Sequence, residues 1–184
     1  MRVKGTVVKS IQQYVKDKWG SRYNDWLENL PLGAKTIMSN AIYATDWYPL
    51  NEGVVLPTHH LKMFFDDNSI KAAMEAGKHN AEVSLTGIYK IFVKMANPSY
   101  IIKRASKIMA THYENAVLDV GESSNKSVTL LIKEFESLDK MVEYRIAGWI
   151  EKGLELSGCS DIIVRITKSK TKGDDVTEYR MTWK

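Results

Sequence analysis

The side chains best suited to hold a metal or move a proton are four histidines, His59, His60, His79 and His112, and one cysteine, Cys159. Adjacent His59 and His60 point about 100° apart on a helix and cannot readily grip one ion together. Neither His-Glu-x-x-His nor Cys-x-x-Cys occurs, so the spacings that bring zinc ligands together are missing. Haem asks for less, one axial ligand and an apolar slot, and spacing alone does not dismiss it. Cys159 follows Gly158 at an expected helix-to-strand junction with no histidine close in sequence. A nucleophilic thiolate needs positive surroundings, so this residue is expected to pack as a small apolar group. Gly-x-Ser-x-Gly, Gly-x-x-x-x-Gly-Lys and Gly-x-Gly-x-x-Gly are all absent. Glu151 and Glu155 sit one turn apart, as like charges do on a wet helix face. No enzyme is expected.

What stands out is aromatic supply, five Trp and nine Tyr, large rigid plates that can line a small-molecule cavity. Trp47, Tyr48, Tyr89, Phe92 and Trp149 fall on expected buried faces or at a helix interruption and are the candidate ligand-binding residues. Core packing between lobes is the competing explanation. Lys103, Arg104 and Lys107 form a small basic cluster and leave weak nucleic-acid binding as a further alternative, although no recognised nucleic-acid motif accompanies them.

The elements that would position these residues follow from periodicity. Val8, Ile11, Val15 and Trp19 mark one amphipathic helix, with Gly20 as an expected left-handed stop. A short helix through Trp26, Leu27 and Leu30 should end at Pro31, and a further helical turn or two should cover Ala34 to Ile42. Pro49 suits the start of a helix near Leu50 that Pro57 bends or divides. The tract Asp66-Asp67-Asn68-Ser69 offers caps for a helix from Ile70 to Gly77 and His79. Leu85, Ile88, Tyr89, Phe92, Met95 and Ala96 form the clearest stripe, ended by Asn97-Pro98. Ile101 to His112 follow as another helix. After Glu114 the period changes to two. Strands are expected around Ala116–Val120 and Val128–Phe135, joined by a turn at Gly121–Asn125. A helix carrying Val142, Ile146, Trp149 and Leu154 comes next, and a last hairpin spans Ile162–Thr167 and Val176–Trp183.

Helices followed by strand–strand–helix–strand–strand predict an α+β fold. A helical N-terminal lobe (1–114) packs on a four-stranded antiparallel sheet with one inserted helix (115–184), both within one domain of 184 residues. The 44% hydrophobic content suffices for a core, and the net charge of +4 is too mild for a dedicated nucleic-acid binder. The positive excess lies in the helical lobe. One cysteine excludes an internal disulfide, and no apolar run has the length of a signal peptide or a spanning helix. A cytoplasmic protein without a membrane anchor is expected.

Several residues then carry a family likeness. Lys4-Gly5-Thr6-Val7-Val8, the helix ending at Trp19-Gly20 and the order of elements resemble haem-nitric-oxide/oxygen-binding (H-NOX) domains. Closer still is the likeness to an uncharacterised myxobacterial paralogue family that looks like a haem-free relative of that fold. It runs through Lys4-Gly5, Trp47-Tyr48-Pro49, Gly77 to Tyr89, Asn97-Pro98-Ser99, Gly148-Trp149, Gly158 and Trp183. The resemblance implies a sensor-type domain that binds an apolar small molecule or a signalling partner. It also implies a proximal histidine on the helix before the proline break, yet Leu85–Ala96 holds none, and the propionate motif Tyr-x-Ser-x-Arg is missing. Cofactor-free is therefore the expectation, with His79, His112 and Tyr89 as iron ligands in the alternative, a haem-based nitric oxide or oxygen sensor.

Overall fold

The computed structural model describes residues 1–85 and 107–184. Tyr89, Phe92, the Asn97-Pro98 break, Lys103 and Arg104 lie outside the described residues.

The chain opens with a three-residue strand, β1 (Arg2–Lys4), which pairs antiparallel with β2 (Trp47–Pro49). Three-residue strands leave no period to read, so neither was expected. Helix α1 (Gly5–Trp19) starts directly from β1 and buries Val7, Val8, Ile11, Tyr14 and Val15, as its stripe predicts. Gly5 makes this sharp entry feasible, because a methyl group there would collide with the Tyr43 carbonyl. Gly20 does end α1, but not by a left-handed residue: its φ is −47°, and the chain tightens into a 3₁₀ turn, Gly20–Arg22. Helices α2 (Tyr23–Glu28) and α3 (Leu32–Ser39) follow on either side of Pro31.

Pro57 divides the next helix as expected, in an unforeseen way. Asn51–Val55 form a π-helical turn, α4 (Leu56–His60) takes Pro57 into its first turn, and Leu61–Phe64 close as 3₁₀. In a helix's first turn the missing proline N–H costs no hydrogen bond. Helix α5 (Ser69–Leu85) begins where the Asx tract predicts, with the Lys71 amide donating to Asn68 Oδ1 at 3.0 Å. It continues past the expected end at Gly77 and His79. Gly77 is a packing glycine, since a methyl there would strike the Arg145 carbonyl, and Gly148 faces the Met74 carbonyl in the same way.

Residues 107–112 are helical, and Tyr113 then bridges to Val3 of β1. The sheet lobe contains β3 (Val117–Ser123), β4 (Ser127–Glu134), β5 (Ile163–Lys168) and β6 (Thr177–Thr182), with helix α6 (Lys140–Leu156) between β4 and β5. Strand order is β3-β4-β6-β5, antiparallel throughout. The first turn falls later than expected: a register shift between Val120 and Ser123 extends β3, and Ser124 N–H closes on the Ser127 carbonyl at 2.8 Å. Val128, Leu130 and Ile132 alternate inward on β4, opposite Tyr179 and Met181 of β6. Helix α6 covers that face with Val142, Ile146, Ile150 and Leu154 and packs its other side on α5. Each of these large aliphatic side chains contributes about 1.5–3 kcal/mol when fully buried. Asp139 caps α6 through the Met141 amide at 2.6 Å, and Gly158, at φ +92°, is the left-handed stop its sequence predicts. No helix among the described residues is long and apolar enough to cross a membrane.

Candidate functional site

Sandwiched between sheet and helices, the first half of α6 is buried nearly all round, from Met141 to Gly148 with Tyr144 excepted. Two of those buried residues are charged. Glu143, 1% exposed, points into the loop between β5 and β6. Its carboxylate accepts from the Ser169 hydroxyl at 2.8 and 3.0 Å, from Thr171 at 2.8 Å and from Thr177 at 2.5 Å, while Tyr179 donates to its backbone carbonyl at 3.1 Å. A buried carboxylate satisfied by three hydroxyls is a structural clasp.

Arg145, 3% exposed, faces the helical lobe and is served far less well. Nη1 donates to Thr58 Oγ1 of α4 at 3.5 Å and Nη2 to Ser10 Oγ of α1 at 3.4 Å, both long, and the buried Nε has no partner. Ser10 gives its own proton to the Val7 carbonyl at 2.7 Å, which leaves an oxygen lone pair for the guanidinium. Among the described residues no carboxylate pairs with Arg145. Burial holds the guanidinium below the ordinary arginine range, and burial likewise raises the nearby Tyr113 and Tyr14 phenols. Ser10, Tyr14, Thr58, Tyr113 and Arg145 thus form a polar node deep in an apolar core. Periodicity alone carried a signal for it: Arg145 sits three residues after Val142 and four before Trp149, a cation on the buried stripe.

Of the expected aromatic residues, Trp47, Tyr48 and Trp149 are among the described residues. Tyr48 is half-buried in β2, where its hydroxyl accepts the Tyr43 amide at 2.9 Å, its ring abuts Gly5 and its Cβ lies against Gly53. Trp47 lies under the Lys4 ammonium, 4.2 Å from its ring centroid. Trp149 is half-buried on α6, near Gly153. Among the described residues no ring contact joins Trp149 to Trp47 or Tyr48. The aromatic contacts that do form centre on Trp19, stacked on Phe64 at 4.3 Å and edge-on to Tyr14 and Phe65, with His79 tilted on Tyr14 at 4.9 Å. Cys159 packs at the core's margin, and burial pushes its thiol up, away from a reactive thiolate. Lys107 is exposed on the helical turn 107–112.

All four histidines are described, so haem ligation by imidazole can be tested on them. His79 turns Nε2 to Asp17 at 3.2 Å and buries Nδ1 without a partner beside Tyr14. His59 also buries Nδ1 unpartnered. His60 and His112 each place Nδ1 at 2.8 Å from the carbonyl four residues back, Leu56 and Ile108. That bond fixes the tautomer with a lone pair on Nε2, the form that ligates iron. Between these two, only His112 was a candidate ligand from the sequence. The cation at the centre of the fold is Arg145, not a histidine, and no cluster of metal-binding side chains occurs among the described residues.

Comparison with known proteins yields likeness at the level of fold. No family model matches the sequence, and no curated protein matches it. Among solved structures, an H-NOX protein from S. oneidensis in the Fe(II)NO ligation state matches 98% of this chain and 99% of its own, with TM-score 0.75 and 10% identity. The Fe(II) unliganded H-NOX protein from K. algicida matches 98% of this chain and 96% of its own, with TM-score 0.71 and 14% identity. An oxygen-binding H-NOX domain related to soluble guanylate cyclases, solved as its oxygen complex, covers 98% and 95% with TM-score 0.67 and 14% identity. From end to end, this chain has an H-NOX-like α+β fold.

Proposed function

We propose that this chain is a non-enzymatic, ligand-binding sensor domain that takes no haem and reports occupancy to a protein partner. The observation that carries this reading is the fold itself, shared along 98% of the chain with proteins solved bound to nitric oxide and to oxygen. In this reading residues 1–184 act as one domain, with the ligand held where the helical lobe (1–114) meets the sheet lobe (115–184). The ligand-binding residues of this reading are Trp47, Tyr48, Tyr89, Phe92 and Trp149. A ligand that favours one arrangement of the lobes shifts the population toward it, and the partner reads the change. Kinship with the haem-free myxobacterial paralogue family is part of the same proposal, supported by the missing histidine in Leu85–Ala96 and the missing propionate motif.

The alternative, a haem-based gas sensor, has one observation in its favour, the Nδ1 bond of His112 that leaves Nε2 basic. Titrating the purified protein with hemin separates the two. Haem-free function predicts no sharp Soret band at one equivalent. A sharp band that disappears in His112→Ala would establish the alternative.

A further inference from the structure

Arg145 is the one buried cation that the fold leaves without an anion among the described residues. A guanidinium carries five N–H donors in a planar fork suited to a carboxylate, and here two are engaged, both at 3.4 Å or longer, while Nε has no acceptor. Removing such a charge from water is costly unless an opposite charge and full hydrogen bonding compensate it. The other buried charge on the same helix offers no relief, because the Glu143 oxygens are taken up by Ser169, Thr171 and Thr177. A residue kept only for packing would be apolar at this position.

We propose that Arg145 is the anchor for the carboxylate of an otherwise apolar acid, bound at the node formed by Ser10, Thr58, Tyr14 and Tyr113. One cation with no second positive group at the node selects a single negative charge over a phosphate dianion. Val7, Val8 and Ile11 on α1 and Val54 and Leu61 on either side of α4 are buried aliphatic side chains of the same core, surroundings that suit a hydrocarbon tail better than a second polar group. This inference rests on the ligand-binding reading above and specifies the ligand's chemistry.

The test uses the full chain with laurate, its uncharged analogue dodecanol, and acetate at matched ionic strength, read by thermal unfolding and by calorimetric titration. Laurate is expected to bind one equivalent per chain and raise Tm saturably, at least tenfold tighter than dodecanol. In Arg145→Met that preference disappears, and without ligand the variant melts at or above the wild-type temperature, because an uncompensated charge has been replaced by an apolar side chain of similar length. Arg145→Lys keeps a point charge without the fork and is expected to bind laurate more weakly than wild type. Equal affinity for laurate and dodecanol overturns the anchor, as does acetate matching laurate, laurate binding unchanged in Arg145→Met, or an Arg145→Met chain less stable than wild type. A neutral compound retained by the protein would refute the anchor and leave the ligand-binding reading intact, whereas a histidine-dependent Soret band would refute the haem-free reading itself.

Discussion

Glu143 and Arg145 lie two residues apart on α6, both almost wholly buried, and neither neutralises the other. Two residues of α-helix turn the side chains about 200° apart, so one looks toward the sheet lobe and the other toward the helical lobe. The carboxylate meets three hydroxyls and is satisfied; the guanidinium meets two hydroxyls at long range and is not. One helix therefore carries a finished structural contact on one side and an open polar node on the other, and it lies where the two lobes meet.

If Glu143 is the clasp of the β5–β6 loop, Glu143→Ala should leave Ser169, Thr171 and Thr177 without their acceptor. Hydrogen bonds to a charged group contribute about 1.5–3 kcal/mol, so a loss of about 3 kcal/mol in urea unfolding is expected, as a lower midpoint with unchanged slope. A midpoint within error of wild type would refute the clasp.

Glycine substitutions should differ in sign according to what each glycine faces. Gly77→Ala places a methyl against the Arg145 carbonyl, in a seam where neither helix can retreat without moving its backbone, and should cost about 1–3 kcal/mol or more. Gly20→Ala meets nothing within 4 Å and occupies a helical φ of −47°, so it should stabilise by about 0.4–1 kcal/mol. Comparing the two in one denaturant series checks the α5–α6 crossing against an internal control.

His59 should make stability depend on mildly acidic pH. Burial lowers its pKa first, with the His60 and Lys62 charges adding to the effect. The unfolded chain therefore binds the proton more readily than the folded chain. Stability is fully present above the ordinary histidine pKa, falls as pH drops through it, and levels off below the depressed folded value. His59→Asn should flatten that slope between pH 7.5 and 5 in urea titrations; an unchanged slope would rule His59 out as its source.

Cys159 should be sluggish toward alkylation. With its thiol pushed up by burial, the rate with iodoacetamide at pH 7 should fall below that of the unfolded chain and climb only at higher pH. Modification as fast as in urea would contradict this.

Much of the fold is legible in the amino-acid order, because long amphipathic segments announce themselves. The α1 stripe, the alternation in β4, the Asn68 cap and the Gly158 stop all appear where side-chain period and capping chemistry place them. Short or context-made features are not legible. β1 and β2 have three residues each, and the π-helical turn before Pro57 is a single turn too short to show a period of its own. The helix over Ile70 to His79 in fact runs on to Leu85, and the packing role of Gly77 depends on the approach of α6, which no local pattern encodes. The site was the least legible part. Aromatic residues attract attention by size, and Arg145 on the buried face of α6 is a quieter signal, a single cation in an apolar stripe.

Native mass spectrometry of the protein purified from its own host tests the central claim most directly. The account predicts a chain carrying one small organic acid, released on acidification and absent from Arg145→Met, with no porphyrin mass. A chain carrying iron porphyrin, or a wild-type chain that retains nothing and binds no acid on addition, would contradict it.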